Sequence, residues 1–214
     1  MISVNSGPKV DAARNDIFKV WLTETDASHM LMVDTDMVLP VDVLDRLLAC
    51  NKDIASALCF TTGFNGNRVI PAIRVIVESS DGSPTLQPLW DYPVNTLIQV
   101  DAIGAACFLV KRKVAEGIWE ARGRDHAMPW FAHGMHNGVV IGEDVAFCLT
   151  AGKCGFEVWV DTGLVVDHVK PHLYGELDYV FSLSGEGHPH YTERDEVPIY
   201  RKLTGNGSFG EEPR

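Results

Sequence analysis

The chain has 214 residues, of which 46% are hydrophobic and 22% are charged, a balance that fits one soluble-type globular domain with a substantial core. Its net charge of −11 argues against a general binder of nucleic acid or of anionic membrane surfaces. Any contact with a polyanion would need the small basic clusters at 111–113 and 122–124.

Cysteine usage indicates a reducing compartment. The five cysteines are odd in number and most have apolar neighbours, which is typical of reduced, buried thiols. No CxxC spacing occurs, which argues against a zinc site. No stretch has the pattern of a signal peptide or a membrane span, so we expect a cytoplasmic protein.

The first third of the chain alternates helical and strand patterns. Apolar residues at helical spacing predict a helix over 9–24, with Pro8 near its start. A strand at 30–34, a helix at about 41–51 and a strand at 54–60 follow. This alternation predicts an α/β domain with a mixed, mostly parallel central sheet flanked by helices.

The rest of the chain is more broken. Residues 61–95 are rich in Gly, Asn and Pro around a strand-like stretch at 69–77, and residues 122–142 look irregular. Periodicity fades beyond residue 171, so the predicted division is a domain at 1–170 and a partly irregular extension at 171–214. The other predicted helices are 111–120 and 143–152, and the other predicted strands are 97–101, 105–110, 156–160 and 164–168.

Asp34-Thr35-Asp36 directly follows the apolar run at 30–33. A buried strand that ends in two carboxylates delivers both to the sheet edge where ligands bind in α/β proteins. Two neighbouring carboxylates repel each other unless solvent or a cation separates them, and oxygen ligands suit Mg²⁺ or Mn²⁺. The triplet is therefore either a solvated turn or a metal site for a phosphate-bearing substrate.

Glu143 and Asp144 begin a predicted helix after Gly142. Acids in a first helical turn complement the helix dipole, which is the simpler interpretation. The functional interpretation is a general base that faces the same cleft as the metal. His168, at the end of a strand, is either a residue satisfied by its neighbours or a metal ligand beside Asp36.

Two further segments carry open alternatives. Gly104 and Ala105 are small enough either to let backbone approach a ligand or to pack tightly between strands. Trp130 and Phe131 either stack on a sugar or base, if exposed, or fill the core. The histidines at 126, 133 and 136 match no metal motif, and we treat them as loop residues.

The order of these motifs resembles the GT-A glycosyltransferases, especially the family 2 type and its short bacteriophage forms. The resemblance covers about residues 10–170. Its motifs are Ala13-Arg14-Asn15, Asp34-Thr35-Asp36, Gly104-Ala105-Ala106, Pro129-Trp130-Phe131, Gly142-Glu143-Asp144 and Val166-Asp167-His168.

The resemblance implies a transferase that uses a nucleotide sugar, most readily a UDP-sugar, and a divalent Mn²⁺ or Mg²⁺. By analogy Asp36 would bind the metal directly, Asp34 would hold the ribose or a metal-bound water, and His168 would be a further ligand. Such an ion neutralises charge on the leaving diphosphate.

The same resemblance assigns the remaining site. Asp144 would deprotonate the acceptor hydroxyl with support from Glu143, which favours inversion of the sugar. Arg14, with the backbone at Gly104 and Ala105, would contact the donor. The aromatic pair at 130–131 would face the acceptor.

The N-terminus departs from the family pattern, because only residues 1–8 precede the first helix. Either the start is truncated, or the nucleotide base is held differently, or a partner chain such as a second copy completes the pocket. One alternative is a related nucleotidyltransferase, although Ser6-Gly7-Pro8-Lys9 is too slight to count as the Gly-rich phosphate loop of such enzymes. Another is a non-catalytic nucleotide- or sugar-binding module. The acceptor is open between a modified DNA base, a protein and a glycan; the net charge argues mildly against duplex DNA. A phage-encoded chain would act in its bacterial host's cytoplasm.

Overall fold

The structure is a computed structural model that describes residues 9–62, 69–80 and 82–169. The chain divides into one unit of Met1–Thr61 with Ile70–Lys170 and a second of Thr62–Val69 with Pro171–Arg214. Of the second unit only Thr62 and Val69 belong to the described residues. The predicted extension at 171–214 lies outside them.

Four helices occur in the described ranges, each close to a predicted position. α1 begins after Pro8 and Lys9, and α2 ends where Asn51 takes a left-handed φ of 49°. Gly123 ends α3 with a φ of 90°, a value that L side chains rarely adopt. The bounds are α1 Val10–Glu24, α2 Val43–Cys50, α3 Arg112–Arg122 and α4 Glu143–Lys153.

The strands in the described ranges are more numerous than the sequence predicts, although the predicted strands at 156–160 and 164–168 are largely joined in one, Val158–Val165. In chain order they are β1 His29–Val33, β2 Met37–Val38, β3 Ile54–Leu58, β4 Phe60–Thr62, β5 Val69–Pro71, β6 Ile73–Glu78, β7 Pro84–Pro88, β8 Leu97–Val100, β9 Ala102–Ile103, β10 Cys107–Lys111, β11 Gly134–His136, β12 Val139–Ile141, β13 Val158–Val165 and β14 Asp167–His168.

The central sheet has five strands in the order β1-β10-β3-β13-β8. Only β3 and β13 run parallel; the other three neighbouring pairs are antiparallel. The α/β class and the mixed sheet are thus confirmed, whereas the expectation of mostly parallel pairing is wrong. The cause is β10, which runs opposite to both of its neighbours and separates β1 from β3.

Side chains that alternate along the strands divide the core between two faces of this sheet. Ile54 and Leu58 pack with the aromatic residues of α1 and with α3 and α4, while Ala55 and Ala57 pack with Leu47 of α2. The predicted layering of helices on both faces is therefore what the structure shows. It fixes α1 and α4 on the same side, which matters for the site.

The segment predicted as irregular at 122–142 contains a hairpin, β11–β12. Asn137 and Gly138 form its turn with positive φ values of 49° and 79°. An Asn-Gly pair between short apolar runs is the usual sequence signal for such a turn. The hairpin was missed because each of its strands has only three residues, which is too short for a clear strand pattern.

Candidate active site

The Asp34-Thr35-Asp36 loop lies at the end of β1, as predicted. The backbone N–H of Asp34 donates to the Ala106 carbonyl at 3.0 Å, which fixes the loop against the start of β10. About 38% of the Asp34 side chain and 41% of the Asp36 side chain remain exposed. Both carboxylates therefore reach solvent at one edge of the sheet.

Arg14 connects this loop to α4. Its guanidinium donates to Asp34 Oδ1 and to Glu143 Oε1, each at 2.7 Å, and more weakly to the Ala105 carbonyl at 3.4 Å. Only 6% of Arg14 is exposed, and its guanidinium holds the two acids. That Arg14 contacts the donor stays a prediction.

Asn15, the neighbour of Arg14, binds the backbone of the aromatic pair. Its amide donates to the Phe131 carbonyl at 2.6 Å, and its Oδ1 accepts from the backbone N–H of Trp130 at 3.1 Å. Trp130 and Phe131 are 2% and 0% exposed and pack on Phe18. The expectation that their rings face an acceptor is wrong, because both rings are core.

Asp36 and His168 form the second pair of the edge. Asp36 Oδ2 lies 3.0 Å from His168 Nε2, where β14 pairs with β2. The Phe60 carbonyl lies 3.0 Å from His168 Nδ1 and can only accept, so Nδ1 carries a proton. Nε2 thus faces the carboxylate either as a second N–H donor or with its lone pair toward a shared cation.

This pair fits a divalent ion in part. Ligands at about 2.1 Å and at right angles around Mg²⁺ or a similar ion lie roughly 3 Å apart, which matches the Asp36–His168 separation. Metal-binding histidines also donate their other N–H to a backbone carbonyl, as His168 does. Asp34, however, is engaged by Arg14, and nowhere in 9–62, 69–80 or 82–169 do three acidic, His or Cys side chains form a metal-sized group.

Asp144 lies close to Gly104 in the same region. Its Oδ1 accepts from the backbone N–H of Val145 at 2.7 Å, and a Cβ built on Gly104 would lie 3.8 Å from Oδ2. A Cβ on Gly142 would lie 2.8 Å from Oδ1, so a side chain there would force the Asp144 carboxylate to shift. Within the described ranges Asp144 makes no ion pair, unlike Glu143 beside it.

Asp34 and Asp144 both act on the buried thiol of Cys59, just after β3. Burial, together with the nearby Cys107, Asp34 and Asp144, raises the pKa of the Cys59 thiol to about 12. Because charge effects of this kind fall off steeply with distance, the two acids approach the same thiol from different segments. The structure therefore brings Asp34, Glu143 and Asp144 together, with Asp36 and His168 at the same edge.

The sequence did not indicate two groups that lie near the site. His133 Nε2 lies 3.8 Å from Glu143 Oε2 with a side chain that is 60% exposed, although its spacing from the other histidines gave no signal. The Phe60 carbonyl holds His168, and no sequence pattern could reveal a backbone acceptor.

The basic clusters are engaged in internal contacts. Arg112 donates to the carbonyls of Trp21, Thr25 and Ala27 at the end of α1. Lys111 binds Asn51, and Lys113 pairs with Asp53 at 2.6 Å. In the second cluster Arg122 binds Thr150 and Arg124 pairs with Glu120.

These features define an α/β domain with an acidic, partly exposed site at one edge of its mixed sheet. No protein-family model and no curated protein matches the chain. Among solved structures, A197 from STIV aligns with a TM-score of 0.50 at 16% identity, over 76% of this chain and 69% of that one. That likeness shows a shared fold.

GalNAc-T7, solved with UDP, GalNAc and Mn²⁺, aligns with a TM-score of 0.48 at 12% identity over 76% of this chain. The aligned part spans 30% of that chain. None of the helices in the described ranges is long and apolar enough to cross a membrane.

Proposed function

We propose that the chain is a metal-dependent glycosyltransferase of the GT-A type, moving a sugar from a nucleotide sugar to an acceptor hydroxyl. The observation that carries this proposal is the single guanidinium of Arg14, which lies 2.7 Å from both Asp34 and Glu143. It makes one site of the Asp-x-Asp loop and the Glu-Asp helix start, two motifs that are more than a hundred residues apart in sequence.

Asp36 and His168 would hold a Mn²⁺ or Mg²⁺ ion, which supplies charge neutralisation for a departing diphosphate. Asp34 would hold the ribose or a metal-bound water through the oxygen that Arg14 leaves available. The support for these roles is the 3.0 Å separation of Asp36 Oδ2 and His168 Nε2 and the partial exposure of both acids.

Asp144 would accept the proton of the acceptor hydroxyl, with inversion at the sugar carbon. Glu143 is ion-paired with Arg14, whereas Asp144 has no ion pair in the described part of the chain. A carboxylate of this kind, fixed by the N–H of Val145, is suited to take a proton. The backbone at Gly104 and Ala105 would face the donor sugar, because Gly104 has no side chain to separate this backbone from Asp144.

The test measures thermal stability with Mn²⁺ and a panel of UDP, GDP, CDP and dTDP, followed by hydrolysis or transfer with the matching nucleotide sugar. A ligand that binds only the folded state at a hundredfold excess over its Kd stabilises it by about 2.7 kcal/mol. We expect a shift with UDP that requires the metal.

The variant Asp36→Asn should lose that shift and the activity while retaining the melting temperature of the free protein. Asp167→Asn is the matched control, since Asp167 is an exposed acid next to His168 and makes no ion pair in the described part of the chain. Equal metal-dependent binding by both variants would exclude the proposed site. Absence of any nucleotide shift in the wild type would favour a non-catalytic module.

A further inference from the structure

A second concave site lies at the C-terminal end of α4, separate from the acidic edge. It is a cavity of about 490 Å³, within the range of small-molecule sites. The ends of β8 and β13 and the last two turns of α4 form its walls, and the cavity is called the α4 pocket below.

The α4 pocket lies along the same helix face as the proposed base. Cys148 and Gly152, which line it, follow Asp144 at four-residue spacing and so share its face of the helix. At 1.5 Å per residue they lie about 6 and 12 Å further along the axis. The pocket thus lies within the length of a few sugar units of Asp144, although Cys148 itself is only 1% exposed.

The lining combines an apolar floor with polar groups of both kinds. Cys148 and Val158 are buried beneath it. One carboxylate oxygen of Asp101 accepts from the backbone N–H of Ile76, and one of Glu157 accepts from the indole N–H of Trp159. Within the described part of the chain, the other oxygen of each remains available to a ligand. Lys153 and Gln99 add donors. A hydroxyl both donates and accepts, so a polyhydroxylated ligand matches this mixture.

The charges argue against an anionic ligand. Lys153 is the one lining side chain with a fixed positive charge, against the carboxylates of Asp101 and Glu157. The C-terminal end of a helix also carries a partial negative charge, and α4 directs that end toward the pocket. A nucleoside diphosphate is therefore disfavoured, and a neutral ligand is favoured.

We propose that the α4 pocket binds a neutral saccharide unit of the acceptor, at a distance from the transferred sugar. The proposal rests on the proposed function, since it assigns the acceptor class of that same reaction. It predicts that the acceptor is a glycan, in preference to a protein or a DNA base.

The test is binding of the labelled full chain to a printed array of neutral and acidic glycans, followed by calorimetry with the best neutral oligosaccharide. Gly152→Trp should block the pocket, because a Cβ at Gly152 meets nothing within 4 Å and a large ring there would enter open space. Gly152→Ala is the matched control. We expect the wild type and Gly152→Ala to bind, and Gly152→Trp to bind at least tenfold more weakly.

A second variant, Glu157→Gln, tests the same pocket without a bulky substitution that could disturb the fold. It should weaken binding of the same glycan several-fold. No bound glycan, binding of acidic glycans only, or full binding by both Gly152→Trp and Glu157→Gln would overturn the proposal. Nucleotide binding by the wild type is measured separately. Glycan binding without a UDP shift would support the pocket and refute the transferase, and a UDP shift without glycan binding would do the reverse.

Discussion

Replacing Arg14 by Met should destabilise the domain by about 3 kcal/mol. Removing one partner of a buried ion pair typically costs about 3–5 kcal/mol, because the remaining charge is left without compensation. Glu143, 13% exposed, would be left in that state, whereas Asp34, 38% exposed, would be rehydrated. The lower end of the range therefore applies, and a domain with about 5–15 kcal/mol of stability would still fold.

The assay is urea unfolding followed by circular dichroism. With a slope of about 1–3 kcal/mol per molar urea, the midpoint should fall by roughly 1–3 M. Arg124→Met is the control, since its pair with Glu120 is exposed on both sides and its loss should change stability by about 0.5 kcal/mol or less.

Glu143→Gln completes the cycle. In the Arg14→Met background it should restore part of the lost stability, because it removes the uncompensated charge, giving a coupling of about 1–3 kcal/mol. If Arg14→Met lost less than 1 kcal/mol, or if Glu143→Gln were equally harmful in both backgrounds, the guanidinium would not hold the site as described.

Three further outcomes are expected. Gly142→Ala should displace the carboxylate of Asp144, since the Cβ of the alanine would lie 2.8 Å from Oδ1. Transfer should fall at least tenfold in a coupled nucleotide-release assay, while the circular dichroism spectrum stays unchanged. Stability should fall as pH rises from about 9 toward 12, because the pKa of the buried Cys59 thiol is raised to about 12, so the thiol of the unfolded chain loses its proton first. The free energies of unfolding at pH 8 and pH 10 should therefore differ less in Cys59→Ala than in the wild type. Arg112→Ala should lower the melting temperature by several degrees in calorimetry, since Arg112 satisfies carbonyls at the end of α1, and unchanged melting would contradict that role.

Much of the architecture was predictable from local patterns. The four helices appear within three residues of their predicted bounds, because each carries an apolar face and ends near Asn, Gly or a polar turn. The direction of β10 was not predictable, since a strand pattern is the same whichever way the strand runs. The expectation of mostly parallel pairing failed on that strand.

The site likewise has features that the sequence predicts and features that it does not. The residues of the Asp-x-Asp loop and of the α4 start were identifiable from the sequence, and the structure brings Asp34, Glu143 and Asp144 together. The engagement of Arg14 was not predictable, because an arginine in a helix gives no indication of its burial. The same limit explains Trp130, whose ring lies in the core.

The long-range contacts at the acidic edge have a consequence for folding. Arg14 and Glu143 are 129 residues apart, and Asp36 and His168 are 132 apart. Contacts of such separation form only after long loops have closed, which makes them late events in folding. On the ribosome, the Asp-x-Asp loop would emerge well before α4 and β14 exist. A nascent chain would therefore gain the site in one step, near the completion of this unit.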